Sequence, residues 1–239
     1  MGKPFTEWTV LPHGALEQLD DRLMTVVGDI HMPLMDFPRR MTVARLDDGR
    51  LVIFSAIALD EPEMSRIESF GTPAFLVVPN ERHRMDIKIW KDRYPELRVI
   101  APPGARKEVA EIVPVDATEV DFGDPNVRLV TVPGMAEREL ALEVRTPQGT
   151  TLVINEFVFN VDGLPGVGGV LAKAMGVTGP EAKIPALTRL ASVKDKGALS
   201  RQLRSWANLS GLKRILVSHG SAITQDPAGT LLRLADSLA

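Results

Sequence analysis

Apolar positions in this chain fall into short runs whose period changes along its length. Trp8–Leu11, Leu16–Leu19, Met24–Val27, Met41–Leu46 and Leu51–Ser55 are brief apolar stretches parted by turn residues, with Asp47-Asp48-Gly49-Arg50 as the clearest hairpin signal. The first third thus predicts strands joined by hairpins. A helix follows, with Asp60 as its cap, Pro62 and Glu63 in its first turn, Met64, Ile67 and Phe70 on one side, and Gly71 closing it. Ala74–Val78 is then a continuous apolar run, the pattern of a strand buried on both faces.

The pattern continues with a helix over Met85–Lys91, a strand at Leu97–Ala101 and a helix over Arg106–Ile112. Alternation of this kind predicts a βαβ region with parallel strands. Val127–Val132, Leu140–Val144 and Thr151–Phe159 read as strands again, with Pro147-Gln148-Gly149 as a turn. Helices are expected around Gly168–Met175, over Pro185–Leu190, and where Leu199, Leu203 and Trp206 share one face. A strand through Val217 and a terminal helix carrying Leu231, Leu234 and Leu238 complete the order. Gly163–Gly169 is the loosest stretch, a surface loop by its composition or a loop over a cleft; its glycines match neither phosphate-binding pattern.

Composition narrows the function classes. With 44% hydrophobic and 25% charged residues, the 239-residue chain can bury a sizeable core, and a single domain over residues 1–239 is expected. A net charge of -3 with interleaved signs offers no electropositive surface for nucleic acid. The weakly polar run from Gly163 to Thr178 is too short and too interrupted to span a bilayer, and the start shows no leader pattern, so a cytoplasmic protein is expected. Without cysteine there are no disulfides, thiolate nucleophiles or thiolate metal sites, so any metal must sit on His, Asp or Glu.

Four histidines are available, and His219 stands out: Ile215-Leu216-Val217-Ser218-His219-Gly220 delivers an imidazole at the end of an apolar strand, where open α/β sheets form crevices. Ser218 beside it would point to the opposite face, which disfavours a Ser-His relay; Ser55 and Ser221 would need tertiary contacts. His13 reads as a turn residue, and His31 as a turn residue or a cleft-lining one. Arg39 and Arg40 are candidates to receive an anionic group.

The element order, with Pro79-Asn80-Glu81-Arg82-His83-Arg84-Met85-Asp86, Val132-Pro133-Gly134-Met135, Val153-Ile154-Asn155-Glu156 and Ser218-His219-Gly220, resembles the metallo-β-lactamase fold from about Met24 onward. Pro79-Asn80 with His83, Trp90 and Tyr94-Pro95 resembles more narrowly a divergent branch of that superfamily, of unknown function, that lacks most of the zinc-ligand histidines. The resemblance implies an α/β (α+β) fold, a four-layer αββα sandwich of two mixed sheets with helices outside. Hydrolases of this superfamily carry His-x-His-x-Asp-His after the central strand, a Pro-Gly-His, a later Asp and a last His before Gly. Here Met135 replaces the Pro-Gly-His imidazole and Glu156 stands near the bridging Asp. One register of the first loop retains Glu81, His83 and Asp86; the other puts Asn80, Arg82, Arg84 and Met85 there and retains no ligand.

What this implies is a degenerate site, with no metal or one divalent ion, zinc for example, on His83, Glu156 and His219. Asp86 or Glu81 would serve as catalytic base in a mono-metal hydrolase. The alternative is a non-catalytic binding protein whose crevice, edged by Asn80, Arg82 and Arg84, holds a small anion or a protein partner. Substrate and oligomeric state leave no mark in the sequence.

Overall fold

The computed structural model describes residues 3–32, 35–163, 166–174 and 176–239. Strands β1 (Glu17–Asp20), β2 (Leu23–Met32), β3 (Met35–Arg45) and β4 (Arg50–Phe54) run antiparallel in sequence order. Helices α1 (Glu61–Phe70) and α2 (Ile87–Arg93) then connect β4 to β5 (Thr72–Val77) and β5 to β6 (Arg98–Ile100) in parallel, giving a six-stranded mixed sheet in the order β1-β2-β3-β4-β5-β6. A short helix α3 (Arg106–Ala110) leads to β7 (Val127–Thr131), β8 (Leu140–Thr146) and β9 (Gly149–Asn160), which pair antiparallel. After α4 (Gly166–Ala174), α5 (Ala186–Ala191) and α6 (Lys196–Ala207), β10 (Leu212–Gly220) joins β9 in parallel to finish a four-stranded mixed sheet, and α7 (Pro227–Asp236) follows.

Three apolar cores account for four layers. Phe75 and Val77 of β5 face Leu142, Val153 and Leu216 of the other sheet. Their neighbours Leu76 and Val78 face the opposite way, onto a core with Met64, Ile67 and Trp90 of α1 and α2. On the far side, Ile154, Ile215 and Val217 pack against Leu199, Leu203, Trp206, Leu231 and Leu234 of α6 and α7. Alternation along each strand puts successive side chains into different cores, so each strand needs apolar residues on both faces.

Differences from the periodicity have local causes. Trp8–Leu11 is not a strand: the indole N–H of Trp8 donates to the carbonyl of Leu59 at 2.9 Å and its ring lies 5.7 Å from that of Trp90, so this apolar run is a strap over a helix-side core. Strands β2 and β3 run well past their apolar cores, through Asp29 paired with Pro38 and His31 with Asp36, because each supplies the other's ladder bonds whatever the side chains. The helix expected at Gly168–Met175 spans Gly166–Ala174; residues 164, 165 and 175, and with them part of the glycine-rich stretch, lie outside the described residues. Among the described residues, no helix is long and apolar enough to cross a membrane.

Two buried charges brace the sandwich. Arg40 of β3 crosses to β10, donating from Nε to the carbonyl of Val217 at 2.8 Å and from Nη2 to that of Gly220 at 3.0 Å, while Nη1 reaches Thr25 Oγ1 at 3.2 Å. Burial pulls this guanidinium down to about 10, against the opposing charge of Glu17. Asp124, between α3 and β7, accepts from the backbone N–H of Asp47 at 2.8 Å, that of Asn126 at 2.8 Å and Arg22 Nη1 at 2.9 Å, tying the β3–β4 turn to the entry of β7. Burial would raise this carboxyl, but the bonds from Asn126, Asp47 and Arg22 outweigh it and hold it below the usual range.

Arg40→Ala strands two carbonyls and is expected to lower stability by about 3 kcal/mol in urea unfolding, with an unchanged denaturant slope. For Asp124, a carboxylate with a depressed folded pKa stabilises the fold above its unfolded value of about 3.9, and that contribution disappears as pH falls through the folded value. Asp124→Asn should therefore cost about 2 kcal/mol at pH 7. Its penalty, read from unfolding midpoints, should shrink as pH is lowered below about 4.

Candidate metal centre

The loop leaving β5 is shaped by Asn80. Its buried side chain accepts from the N–H of Arg82 at 2.8 Å and of His83 at 3.3 Å, and donates to Glu139 Oε2 at 3.0 Å. This bracket turns His83 inward, where Nδ1 meets Ser55 Oγ at 2.7 Å. Ser55 follows β4 directly with φ 59°, a left-handed conformation that costs a non-glycine residue about 1 kcal/mol or more and that the surrounding packing must hold.

Glu156 arrives from β9 at a break in pairing. Val217 is opposite Ile154, but His219 is opposite Phe159, so β9 carries extra residues there and the strands part locally. His219 closes β10 with its ring between Phe37, 4.7 Å away, and Phe159, 4.8 Å away, and its Nδ1 donates to the carbonyl of Pro38 at 2.6 Å. Gly220, with φ 105°, lets the chain pass so close that a Cβ there would lie 2.0 Å from the Asn160 carbonyl oxygen.

The three side chains converge on one atom. Glu156 Oε1 lies 2.7 Å from His83 Nε2 and 2.6 Å from His219 Nε2, while Oε2 lies 3.1 Å from Arg82 Nη1. Burial pulls His83 below its usual value, with the neighbouring His219 adding to that effect against the pull of Glu156. Burial would raise Glu156, yet the charge and hydrogen bonds of His219 and His83 prevail and hold it well below the usual carboxylate range. Glu139 goes the other way: burial first, then the neighbouring charge of Glu156, push it well up despite bonds from Asn80 and the Glu156 N–H.

This donor set fits a single ion. One ligand atom from each of His83, Glu156 and His219 lies within 4.8 Å of the others. Because the Pro38 carbonyl can only accept, His219 carries a proton on Nδ1 and presents Nε2 to the centre; the Ser55 hydroxyl, able to donate or accept, holds the His83 ring with its Nε2 toward the same point. Outward Nδ1 anchors of this kind fix the tautomer and ring angle of metal-binding histidines.

The other expected residues are distributed as follows. Asp86 is buried in an ion pair with Arg39 and accepts from the Ala58 N–H at 3.0 Å, so neither faces the centre. Arg84 turns to the carbonyl of Glu108 and to Glu111, 3.0 Å away. Glu81 lies 3.5 Å from Arg138, on the wall of a cavity of about 160 Å³ also lined by Asn80, Arg82, Met135, Glu139 and Glu156. His31 is on β2, and its side chain lies outside the described residues. Ser218 Oγ makes no hydrogen bond among the described residues, and both nitrogens of His219 are engaged elsewhere. Glu139 and the Pro38 carbonyl are new here, and Ser55, in the sequence only a serine in need of tertiary contacts, bonds His83; Glu139, an acid opening the apolar strand at Leu140, left a trace in the sequence.

No protein-family model matches the sequence, and no curated protein matches it. Solved structures do. The metallo-β-lactamase FIM-1 from Pseudomonas aeruginosa, in its mono-zinc form, superposes with a TM-score of 0.60 at 13% identity, over 95% of this chain and 96% of its own. The metallo-β-lactamase from Hirschia baltica gives 0.61 at 10% identity over 94% and 98%, and that from Erythrobacter litoralis gives 0.60 at 14% over 93% and 96%. This chain has the metallo-β-lactamase fold. Gly134, after Pro133 and with φ 82°, lies against the 194–199 segment, where a Cβ would meet the Asp195 carbonyl oxygen at 2.2 Å. The adjacent Met135 is buried against the α6 core and lines the cavity beside Glu156.

Were the centre to take a zinc ion, removing an outer anchor should weaken its hold without dismantling the site. Ser55→Ala is expected to lower zinc affinity about 10- to 100-fold in calorimetric titration of metal-depleted protein, whereas Arg84→Ala leaves it unchanged.

Proposed function

We propose that this protein is a hydrolase working with one divalent ion, zinc being the best chemical match, held by His83, Glu156 and His219. The observation that carries the proposal is the meeting of two imidazole Nε2 atoms on a single carboxylate oxygen, with both Nδ1 atoms tied outward. When bound, such an ion supplies Lewis acidity and makes water a better nucleophile near neutral pH. Two imidazoles and a carboxylate are also the ligand chemistry that zinc accepts with a position left open.

The chain's own groups divide the remaining work. Glu156 is the ligand that faces the cavity, so substrate approaches from that side. Arg82, half exposed at the same wall, and Lys194 at its rim favour a small substrate with an anionic group. Of the two candidate bases, Glu81 lines the cavity and can take a proton from an approaching nucleophile; Asp86 is closed off by Arg39. Glu139, whose carboxyl burial pushes well up, accepts from the Glu156 N–H and from Asn80 and so holds the ligand strand in place.

A second reading rests on Arg82. With its guanidinium on Oε2 and two imidazoles on Oε1, Glu156 is neutralised without any metal, as in a binding protein that keeps the fold and takes a small anion at Arg82.

Elemental analysis of tag-free protein separates the two. The hydrolase predicts that His219→Ala carries one equivalent of metal less than wild type, and that chelation abolishes hydrolysis of activated ester and phosphodiester substrates until zinc is restored. Equal metal content in both proteins, with a zinc response of the melting temperature that is the same in His219→Ala as in wild type, would discard it in favour of the anion-binding reading, because a ligand of the native state must stabilise that state.

A further inference from the structure

We propose that His13, Asp60 and Glu63 form a second divalent-cation site, one that shares no residue with the centre above and clasps the N-terminal segment to helix α1. His13 lies in a segment fixed by backbone bonds: Gly14 N–H to the Val27 carbonyl at 2.8 Å, Asp29 N–H to the Pro12 carbonyl at 2.9 Å, and a bridge between His13 and Gly28. Its side chain is only 8% exposed, and Nδ1 is hydrogen-bonded to the Gly14 carbonyl at 2.7 Å. That bond leaves Nε2 as the free lone pair, aimed at two carboxylates.

The distances are those of co-ligands. Nε2 is 3.7 Å from Glu63 Oε2 and 3.9 Å from Asp60 Oδ2, too far for hydrogen bonds, and one ligand atom from each residue lies within 4.8 Å of the others. Two ligands each about 2.0–2.2 Å from one zinc are separated by up to ~4 Å. On this largely enclosed ring, Nε2 faces two carboxylates that lie too far off to hydrogen-bond it, so its lone pair is available to a cation placed between them.

Asp60, with a side chain 69% exposed, also lacks its ordinary capping bond. Asp60 is the cap residue of α1, and its backbone carbonyl accepts from the N–H of Glu63 and of Met64 at 3.0 Å, yet its side chain makes no capping bond. An Asp in that position usually accepts from the first-turn N–H groups. Attraction of acids to a helix N-terminus explains their presence there, but not their turning toward an imidazole. One nitrogen and two carboxylate oxygens suit zinc, cobalt, nickel or manganese, and are a poor match for calcium. The role that follows is mechanical. The ion would join residue 13 to residues 60 and 63, just where Trp8 bonds the Leu59 carbonyl and covers Trp90.

The test uses the full chain with the other centre disabled by His83→Ala and His219→Ala, titrated with cobalt(II). The expected result is one equivalent of bound ion with visible d–d absorption, and a melting temperature raised by about 5 °C or more at 100-fold excess over Kd. Both should be lost when Asp60→Asn and Glu63→Gln are added. No binding in the disabled-centre protein, or binding that survives those two substitutions, overturns the proposal. Should that variant fail to fold, Asp60→Asn with Glu63→Gln in the wild-type background must carry one equivalent less than wild type; equal content overturns the proposal. The clasp binds its ion whether or not the centre at Glu156 proves metal-dependent, so the two proposals fail separately.

Discussion

One carboxylate oxygen, Oε1 of Glu156, is where the two sheets are joined at their functional end. Through His219 it reaches the Pro38 carbonyl on β3, and through His83 it reaches Ser55 at the end of β4, so a residue of the four-stranded sheet is bonded at two removes to two strands of the six-stranded one. Arg40 makes a parallel crossing to the carbonyls of Val217 and Gly220. The apolar core between the sheets supplies cohesion without direction; these polar crossings fix how the strand ends face one another. The strained Ser55, the bracket of Asn80 and the tight passage at Gly220 all serve that alignment.

Backbone packing and side-chain chemistry impose separate constraints at this end of the fold. At Gly134 and Gly220 backbone closely approaches backbone, a constraint that holds with or without a cation. The side chains beside them have other tasks: Met135 belongs to the α6 core, and the Arg82 guanidinium takes the second oxygen of Glu156. The result is a compact three-donor cluster within a fold whose solved examples include a mono-zinc form of one lactamase.

Much of the architecture was legible in the sequence, because burial leaves a periodic trace. The βαβ segment around Ala74–Val78, the α6 face of Leu199, Leu203 and Trp206, and the strand ending at His219 are each marked by local apolar spacing. Trp8–Leu11 misled for the same reason: a strap over a helix-side core has the apolar density of a strand. The site was harder. His83, Glu156 and His219 could be picked out by residue type and place, but a backbone carbonyl such as that of Pro38 has no sequence signature, and the left-handed turn at Ser55 depends on distant packing. Arg82 and Arg84 look equivalent in the chain and differ only in which carboxylates lie within reach.

The slipped pairing of β9 against β10 makes the identity of the central group a matter of strand alignment. Asn155 and Glu156 are neighbours on β9, both largely enclosed, and adjacent strand positions project to opposite sides. A single-residue insertion ahead of this segment would bring the Asn155 amide where the acid now stands, and a deletion would bring Phe157, either way leaving two imidazoles without an anion between them. Loop length on a strand connection thereby governs whether this crevice can hold a positive charge at all.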